Sequence, residues 1–118
     1  MPKSLPSIVK GWRIQEKAAQ VGFDWENYSQ VREKLTEEIN EFDEAIQSND
    51  MEHVEEELGD LFFTLINMAR FLKIDPEQAV QKANQKFIKR FQYIENNANK
   101  PINELTINEM EALWQQGK

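Results

Sequence analysis

The chain has 118 residues and no cysteine, and its 14 lysines and arginines against 21 aspartates and glutamates give a formal net charge of −7. A chain of this length builds one hydrophobic core, so we expect a single domain over residues 1–118. The negative surface disfavours binding to DNA or RNA, because the phosphate backbone is itself negative. The lack of cysteine excludes disulfides, thiolate zinc sites and cysteine nucleophiles.

The sequence predicts neither a membrane span nor a secretory signal. The most apolar segment, residues 58–72, is interrupted by Asp60, Asn67 and Arg70, and it falls short of the roughly 20 apolar residues of a membrane span. The first ten residues have no apolar centre and no small-residue cleavage pattern. We therefore expect a soluble, cytoplasmic protein with no membrane partner.

Apolar residues recur at helical spacing along the whole chain, and no segment alternates as a strand would, so the predicted fold class is all-α with about five helices. The helices are predicted at residues 7–20, 27–47, 51–73 and 76–97, with a short one after Thr106. Asp75 and Thr106 are predicted N-caps, and Pro76 follows Asp75 at the first helical position. The short turn at residues 48–50 predicts that the second and third helices pack antiparallel.

Carboxylates border the apolar faces of these two helices. Glu38 and Glu41 flank the stripe of the second helix, and Glu57 and Asp60 border that of the third. The stripe residues are Val31, Leu35, Ile39, Phe42 and Ile46 on the second helix, and Val54, Leu58, Leu61, Leu65 and Leu72 on the third. In an antiparallel pair the four carboxylates face one another and repel strongly. A divalent cation relieves that repulsion, and an all-oxygen set suits magnesium, manganese or calcium.

Other interpretations of the acidic residues remain open at this point. A glutamate-rich helix face is usually a solvated surface, and the chain could be a non-catalytic helical module that binds a cation or a basic partner protein. The sequence argues against a ferritin-like di-iron site, because that site needs Glu-x-x-His on two helices and the sole histidine, His53, follows no glutamate at that spacing. We assign His53 no role.

A cationic pair lies on the fourth helix, where Lys86 and Arg90 are four residues apart and can meet one anion together. The alternative is that both side chains simply extend along the edge of a core. Neither a P-loop nor a G-x-G-x-x-G fingerprint is present, which argues against Walker-type ATPases and Rossmann dinucleotide sites. Five aromatic residues could stack on a base but are more often core or interface anchors. They are Trp12, Trp25, Trp114, Tyr28 and Tyr93.

At these residues the chain resembles the MazG family of nucleoside triphosphate pyrophosphohydrolases. The acidic motifs are Glu37-Glu38-x-x-Glu41 and Glu57-x-x-Asp60. The flanking segments that carry the likeness are residues 15–19, 21–25, 74–77, 86–91 and 110–114. Their order is similar to that of the catalytic C-terminal domain in two-domain MazG proteins, and the likeness covers nearly the whole chain.

The resemblance implies a helical bundle of the all-α NTP pyrophosphatase type, completed by assembly into a homodimer or a tetramer. Phe63 and Phe71, which lie off the main stripe of the third helix, support that assembly independently. It also implies hydrolysis of (deoxy)nucleoside triphosphates to monophosphate and pyrophosphate, dependent on Mg²⁺ with Mn²⁺ as a substitute, in the cleansing of the nucleotide pool. No motif specifies the base or the sugar.

The resemblance assigns roles to eight residues. Glu38, Glu41, Glu57 and Asp60 match the family's metal ligands, and Glu37 belongs to the same motif as a carboxylate that activates water or supports the ligands. Lys86 and Arg90 match phosphate-binding positions, and Trp114 is a substrate-binding candidate at the mouth of the site.

Overall fold

The computed structural model describes residues 6–118, which form five α-helices and one 3₁₀ turn and contain no strand. The helices are α1 (Ser7–Gln20), α2 (Tyr28–Gln47), α3 (Met51–Phe71), α4 (Pro76–Asn97) and α5 (Ile107–Gln116), and the 3₁₀ turn is Ile102–Glu104. The predicted all-α class is confirmed. The first five residues, part of the stretch that lacks a secretory pattern, lie outside the described residues.

The predicted helix ends are close to the observed ones. Asn27 is the N-cap of α2, its side chain accepting a hydrogen bond from the Gln30 amide. Asp75 accepts from the Glu77 amide at 3.0 Å, as its predicted capping role requires. The prediction that the third helix reaches Lys73 is wrong: α3 ends at Phe71, and Lys73 has φ +61, a left-handed conformation that ends a helix.

Within residues 6–118, none of the helices combines the length and the apolar character needed to cross a membrane.

The chain divides into two compact units, with the boundary between Glu77 and Gln78. The first unit contains α1, α2, α3 and the first two residues of α4, and the second contains the rest of α4, the 3₁₀ turn and α5. The expectation of a single domain over residues 1–118 stays a prediction.

In the first unit, α2 and α3 form an antiparallel hairpin, and α1 packs against α3. The turn between α2 and α3 includes Asn49 at φ +59, and Asp50 caps α3 by accepting from the Glu52 amide. Val31 and Ala45 of α2 are fully buried, and Val54 of α3 is nearly so. Gln15 fastens α1 to α3 by donating a hydrogen bond from Nε2 to the Phe63 carbonyl at 3.0 Å.

The apolar stripes of the hairpin are only partly buried in the single chain. Five residues predicted to be core are exposed instead, namely Ile39, Ile46, Leu58, Leu65 and Leu72. The physical reason is that α1 is the only further helix of this unit, and one helix covers one side of a two-helix hairpin. Several exposed large apolar side chains on one helical hairpin are typical of an interface with another chain.

A buried arginine ties the connector between α1 and α2 to α3. Arg70 is 7% exposed, and its guanidinium group donates two hydrogen bonds to the Asp24 carboxylate. Its Nε also donates to Asn67 Oδ1 at 3.1 Å, and its Nη1 lies 3.6 Å from Glu16 Oε2. The hydrogen bond from Arg70 holds the pKa of Asp24 below its ordinary value.

In the second unit, α5 begins with the predicted capping box. The Thr106 hydroxyl accepts from the Glu109 amide, and the Glu109 carboxylate accepts from the Thr106 amide at 3.0 Å. Lys100 lies 3.1 Å from the same carboxylate. Ile94 and Leu105 are the buried apolar residues of this unit.

Candidate metal centre

Five carboxylates meet across the α2–α3 hairpin, and we call them the acidic cluster: Glu37, Glu38, Glu41, Glu57 and Asp60. One oxygen each from Glu38, Glu57 and Asp60 lie within 4.8 Å of one another, and so do oxygens of Glu37, Glu38 and Glu41. Glu38 belongs to both groups. The hairpin therefore brings together the two acidic pairs that helical periodicity places on facing sides.

The depth of these carboxylates differs. Glu38 is only 6% exposed and Glu57 is half-buried, whereas Glu37 and Asp60 are exposed. Glu38 Oε2 and Glu57 Oε2 are both buried and accept no hydrogen bond from the described residues. A buried carboxylate oxygen without a donor carries a large desolvation cost, so each of these two atoms needs a hydrogen-bond donor or a cation.

The neighbouring carboxylates raise the proton affinity of Glu41. The negative charge of Glu38 raises the pKa of Glu41 above its ordinary value, and partial burial and the charges of Glu57 and Glu37 act in the same direction. The only lysine or arginine that pairs with the cluster among residues 6–118 is Lys34 of α2. Its hydrogen bond to Glu38 raises the pKa of the Lys34 ammonium group.

The residues present fit a hard divalent cation. All the available ligand atoms are carboxylate oxygens, which suits Mg²⁺, Mn²⁺ or Ca²⁺ and disfavours metals that prefer nitrogen or sulfur. The two buried, unpartnered oxygens are the decisive feature, because a solvated glutamate surface would expose both oxygens of each side chain to water. The residues that could hold the ion are Glu38, Glu41, Glu57 and Asp60.

The three substrate-binding candidates lie in the second unit. Lys86 is exposed on α4, and Arg90 is half-buried one turn further on. The Arg90 guanidinium carbon lies 4.9 Å from the centre of the Trp114 ring, a cation–π contact, and the Phe87 ring is 5.4 Å from that ring. Trp114 thus contacts Arg90 directly, and its role at the mouth of a site stays a prediction.

A cavity of about 310 Å³ lies in the first unit between α1, the connector and α3. Its lining is mostly apolar and aromatic, with a few polar groups. The residues are Ile14, Gln15, Ala18, Phe23, Asp24, Trp25, Phe63, Asn67 and Arg70. Gln15 Oε1 is buried and has no hydrogen-bond partner among the described residues. Of the five aromatic residues considered for base stacking, only Trp25 lines this cavity.

Two features of the site escaped the sequence analysis. The first is Lys34, which the spacing from Lys34 to Glu37 and Glu38 could have indicated, since residues three and four apart share a helix face. The second is the pairing of Asp24 with Arg70, which are 46 residues apart, so no local spacing connects them.

Fold and site together define a class: an all-α protein whose helical hairpin presents buried carboxylate oxygens suited to a hard divalent cation. Residues 26–94 match the family profile described as the MazG nucleotide pyrophosphohydrolase domain. The match covers more than half of the chain, and the chain belongs to this family. The resemblance seen in the sequence motifs is therefore confirmed.

Individual relatives agree with the family assignment. The nucleoside triphosphate pyrophosphohydrolase/pyrophosphatase MazG of Thermotoga maritima is 42% identical over 117 residues, which cover 97% of this chain and 45% of that protein. The nucleoside triphosphate pyrophosphohydrolase of Escherichia coli K12 is 42% identical over 123 aligned positions, covering all of this chain and 47% of that protein. The Bacillus subtilis protein YabN matches 52% of this chain, also at 42% identity. The chain thus spans a little under half the length of the first two relatives.

Proposed function

We propose that the chain hydrolyses nucleoside or deoxynucleoside triphosphates to the monophosphate and pyrophosphate, and so serves to cleanse the nucleotide pool. The observation that carries this proposal is the pair of buried, unpartnered oxygens of Glu38 and Glu57 beside Asp60. Membership of the MazG family supports the proposal, as do the printed names of the relatives from T. maritima and E. coli.

In this proposal Glu38, Glu41, Glu57 and Asp60 hold Mg²⁺, with Mn²⁺ as a substitute. The bound cation would polarise phosphate oxygens and offset the charge that develops on the leaving pyrophosphate. Each helix of the hairpin supplies two of these carboxylates. Because α2 and α3 pack against each other, the hairpin sets the distance between the two pairs. Such preorganisation is what electrostatic stabilisation of a transition state requires.

Glu37 is the proposed acceptor of the proton from the attacking water. Its side chain is exposed, and one of its oxygens lies within 4.8 Å of oxygens of Glu38 and Glu41. Attack of the water oxygen at the α-phosphorus breaks the bond to the oxygen that bridges the α- and β-phosphates. The proton passes to Glu37, and the electron pair leaves on pyrophosphate.

Lys86 and Arg90 are the proposed phosphate ligands, with Trp114 as a substrate-binding candidate. The two cations are one helical turn apart on α4, so they can bind neighbouring phosphate oxygens. The Arg90 guanidinium group lies 4.9 Å from the centre of the Trp114 ring, and this cation–π contact favours a stacked orientation. The planar guanidinium group of an arginine can bind a phosphate through two parallel hydrogen bonds.

We assign the nucleobase to the 310 Å³ cavity. Phe63 and Asn67 of its lining follow Asp60 by three and seven residues on α3, which is about 4.5 and 10.5 Å along the helix axis. A nucleotide whose phosphates lie at Asp60 therefore has its base within reach of the cavity. Trp25 and Phe63 offer ring faces for stacking, and the unpartnered Gln15 Oε1 can accept a hydrogen bond from a base.

The proposed working form is a homodimer, or a tetramer built from it, in the cytoplasm. The exposed apolar stripe residues of the α2–α3 hairpin support assembly, because burial in an interface would remove these side chains from water. We expect sedimentation equilibrium at micromolar concentration to give at least twice the 13.9 kDa mass of the chain. A monomer mass at that concentration would contradict the proposed assembly.

A panel of ribo- and deoxynucleoside triphosphates with Mg²⁺, with and without EDTA, tests the proposed activity. We expect pyrophosphate and monophosphate as products, formed only when the cation is present. Inorganic tripolyphosphate serves as the substrate without a base, and we expect the nucleotides to be preferred over it if the cavity binds the base. Release of orthophosphate with the diphosphate would place attack at the γ-phosphorus and contradict the proposal. Inactivity towards the whole panel would indicate modified nucleotides as the substrates first, and a non-catalytic acidic module second.

A further inference from the structure

Lys34 has an unusual position beside the acidic cluster. It lies on α2 one turn before Glu38, and its Nζ is 3.1 Å from Glu38 Oε1 and 3.3 Å from Glu37 Oε1. Among residues 6–118 it is the only cationic side chain that makes an ion pair with the cluster. The cluster therefore has one paired ammonium group for five carboxylates.

An ordinary ion pair of lysine and glutamate on a helix surface would contribute little to stability. Exposed pairs contribute little, and lysine placed before glutamate is the less favourable order along a helix. Here the glutamate is buried: the Glu38 side chain is 7% exposed, whereas that of Lys34 is 36% exposed. Removing the partner of a buried charge costs much more than removing a partner in water.

The two oxygens of Glu38 have different surroundings. Oε1 receives the Lys34 ammonium group, and Oε2 is buried without a partner next to Glu57 and Asp60. A cation bound at Oε2 would therefore lie only a few ångströms from the Lys34 ammonium group. The flexible stem and partial exposure of Lys34 allow its ammonium group to move away into water.

From this arrangement we infer that Lys34 is the internal counter-ion of the acidic cluster. It stabilises the hairpin while no divalent cation is bound, and it competes with the cation for Glu38. Cation binding is then weaker than the carboxylates alone would make it, and the hairpin survives without a cation. The competition rests on the proposed cation site, whereas the stabilisation of the hairpin does not.

The first test measures thermal unfolding in EDTA, where no cation contributes. We expect Lys34→Met to lower Tm by about 4 °C, the shift that corresponds to roughly 1 kcal/mol in a chain whose 118 residues lie between domains of about 60–100 and domains of about 150–250 residues. The matched control, Lys82→Met, removes the same charge from an exposed α4 lysine that makes no ion pair among the described residues, and it should leave Tm near that of the parent chain.

A double-mutant cycle shows whether the effect passes through Glu38. In a Glu38→Gln background, Lys34→Met should lower Tm clearly less than it does in the parent chain, because the buried carboxylate charge is gone and only the exposed pair of Lys34 with Glu37 is left. Equal losses of Tm in both backgrounds would overturn the inference. Should Lys34→Met not fold in EDTA, recovery of folding by Glu38→Gln supports the inference, and failure to recover overturns it.

The second test measures Mg²⁺ binding by calorimetry. Removing one positive charge a few ångströms from the ion should tighten binding by Lys34→Met on the order of tenfold, whereas Lys34→Arg should bind as the parent chain does. Binding by Lys34→Met that is unchanged or weaker would overturn the competition. A parent chain that binds no Mg²⁺ and hydrolyses no nucleotide would overturn the proposed function, and the cycle in EDTA would still decide whether Lys34 is the counter-ion.

Discussion

The Glu57→Gln variant should lose on the order of 100- to 1,000-fold in kcat/KM towards the best nucleotide of the panel, while its fold is kept. The reason is that Glu57 contributes one of the two buried, unpartnered oxygens of the acidic cluster. An amide in its place weakens the attraction for a cation and puts an N–H donor where a ligand oxygen stood. The variant should also lose the gain in Tm that Mg²⁺ gives the parent chain.

Without Mg²⁺, the same variant should be as stable as the parent chain or more stable, because one of several repelling carboxylates is removed. Glu56→Gln is the matched control: it is the same substitution on the neighbouring residue of α3, at an exposed side chain outside the cluster. We expect Glu56→Gln to keep the activity and the protection by Mg²⁺. A Glu57→Gln variant that keeps its activity but loses stability would indicate a structural ion instead.

The Asp24→Asn variant should lower the free energy of unfolding by about 1–3 kcal/mol at pH 7. Arg70 is 7% exposed, and the substitution leaves its buried guanidinium group without its main counter-charge. The loss should stay below that of a fully unpaired buried charge, because Glu16 lies 3.6 Å from Arg70 and Asn67 still accepts its Nε–H. Urea denaturation of both chains measures the difference.

The loss of stability caused by Asp24→Asn should become smaller as the pH falls. Arg70 lowers the pKa of Asp24 in the folded state below the ordinary value of 3.8. The stabilisation is therefore complete well above that value and is lost as the pH falls below it, when the folded chain must also protonate Asp24. Parent chain and variant should differ at pH 7 and converge towards pH 3 and below. Asp43→Asn, at an exposed aspartate of α2 outside the ion pairs described, should show neither effect, and a gap that persists unchanged at low pH would contradict this account.

Local chemistry in the sequence predicted most of the helical architecture. Helix capping depends on residues within one turn of the chain. The capping signals here are Asp75 before Pro76, and Thr106 before Glu109. The end of α3 was misplaced by two residues because the apolar pattern continues to Leu72, while the backbone turns left-handed at Lys73. Helix ends of this kind are decided by the competition between the helix and the following turn.

The sequence also predicted which carboxylates meet. Helical periodicity puts Glu38 and Glu41 on one face, and a three-residue turn forces the facing helix to bring Glu57 and Asp60 opposite them. Both are properties of regular geometry, so they can be computed from residue numbers alone. The roles of these residues in binding a cation and in hydrolysis, and those of Lys86, Arg90 and Trp114, stay predictions that the variants above can test.

By itself, then, the sequence determined the fold class, the family and four of the five clustered carboxylates, because helical period, capping and motif spacing are all local. Helical period pointed Glu37 nearly away from the apolar stripe that Glu38 and Glu41 flank, and the structure puts one of its oxygens within 4.8 Å of oxygens of Glu38 and Glu41. Only the tertiary structure decided that Glu38 is the buried member of the cluster, that Lys34 pairs with it, and that Arg70 holds Asp24 across 46 residues. It also decided that Ile39, Ile46 and Leu58 stay exposed in the single chain. Burial and long-range pairing depend on which surfaces meet, and the pattern along one helix does not contain that information.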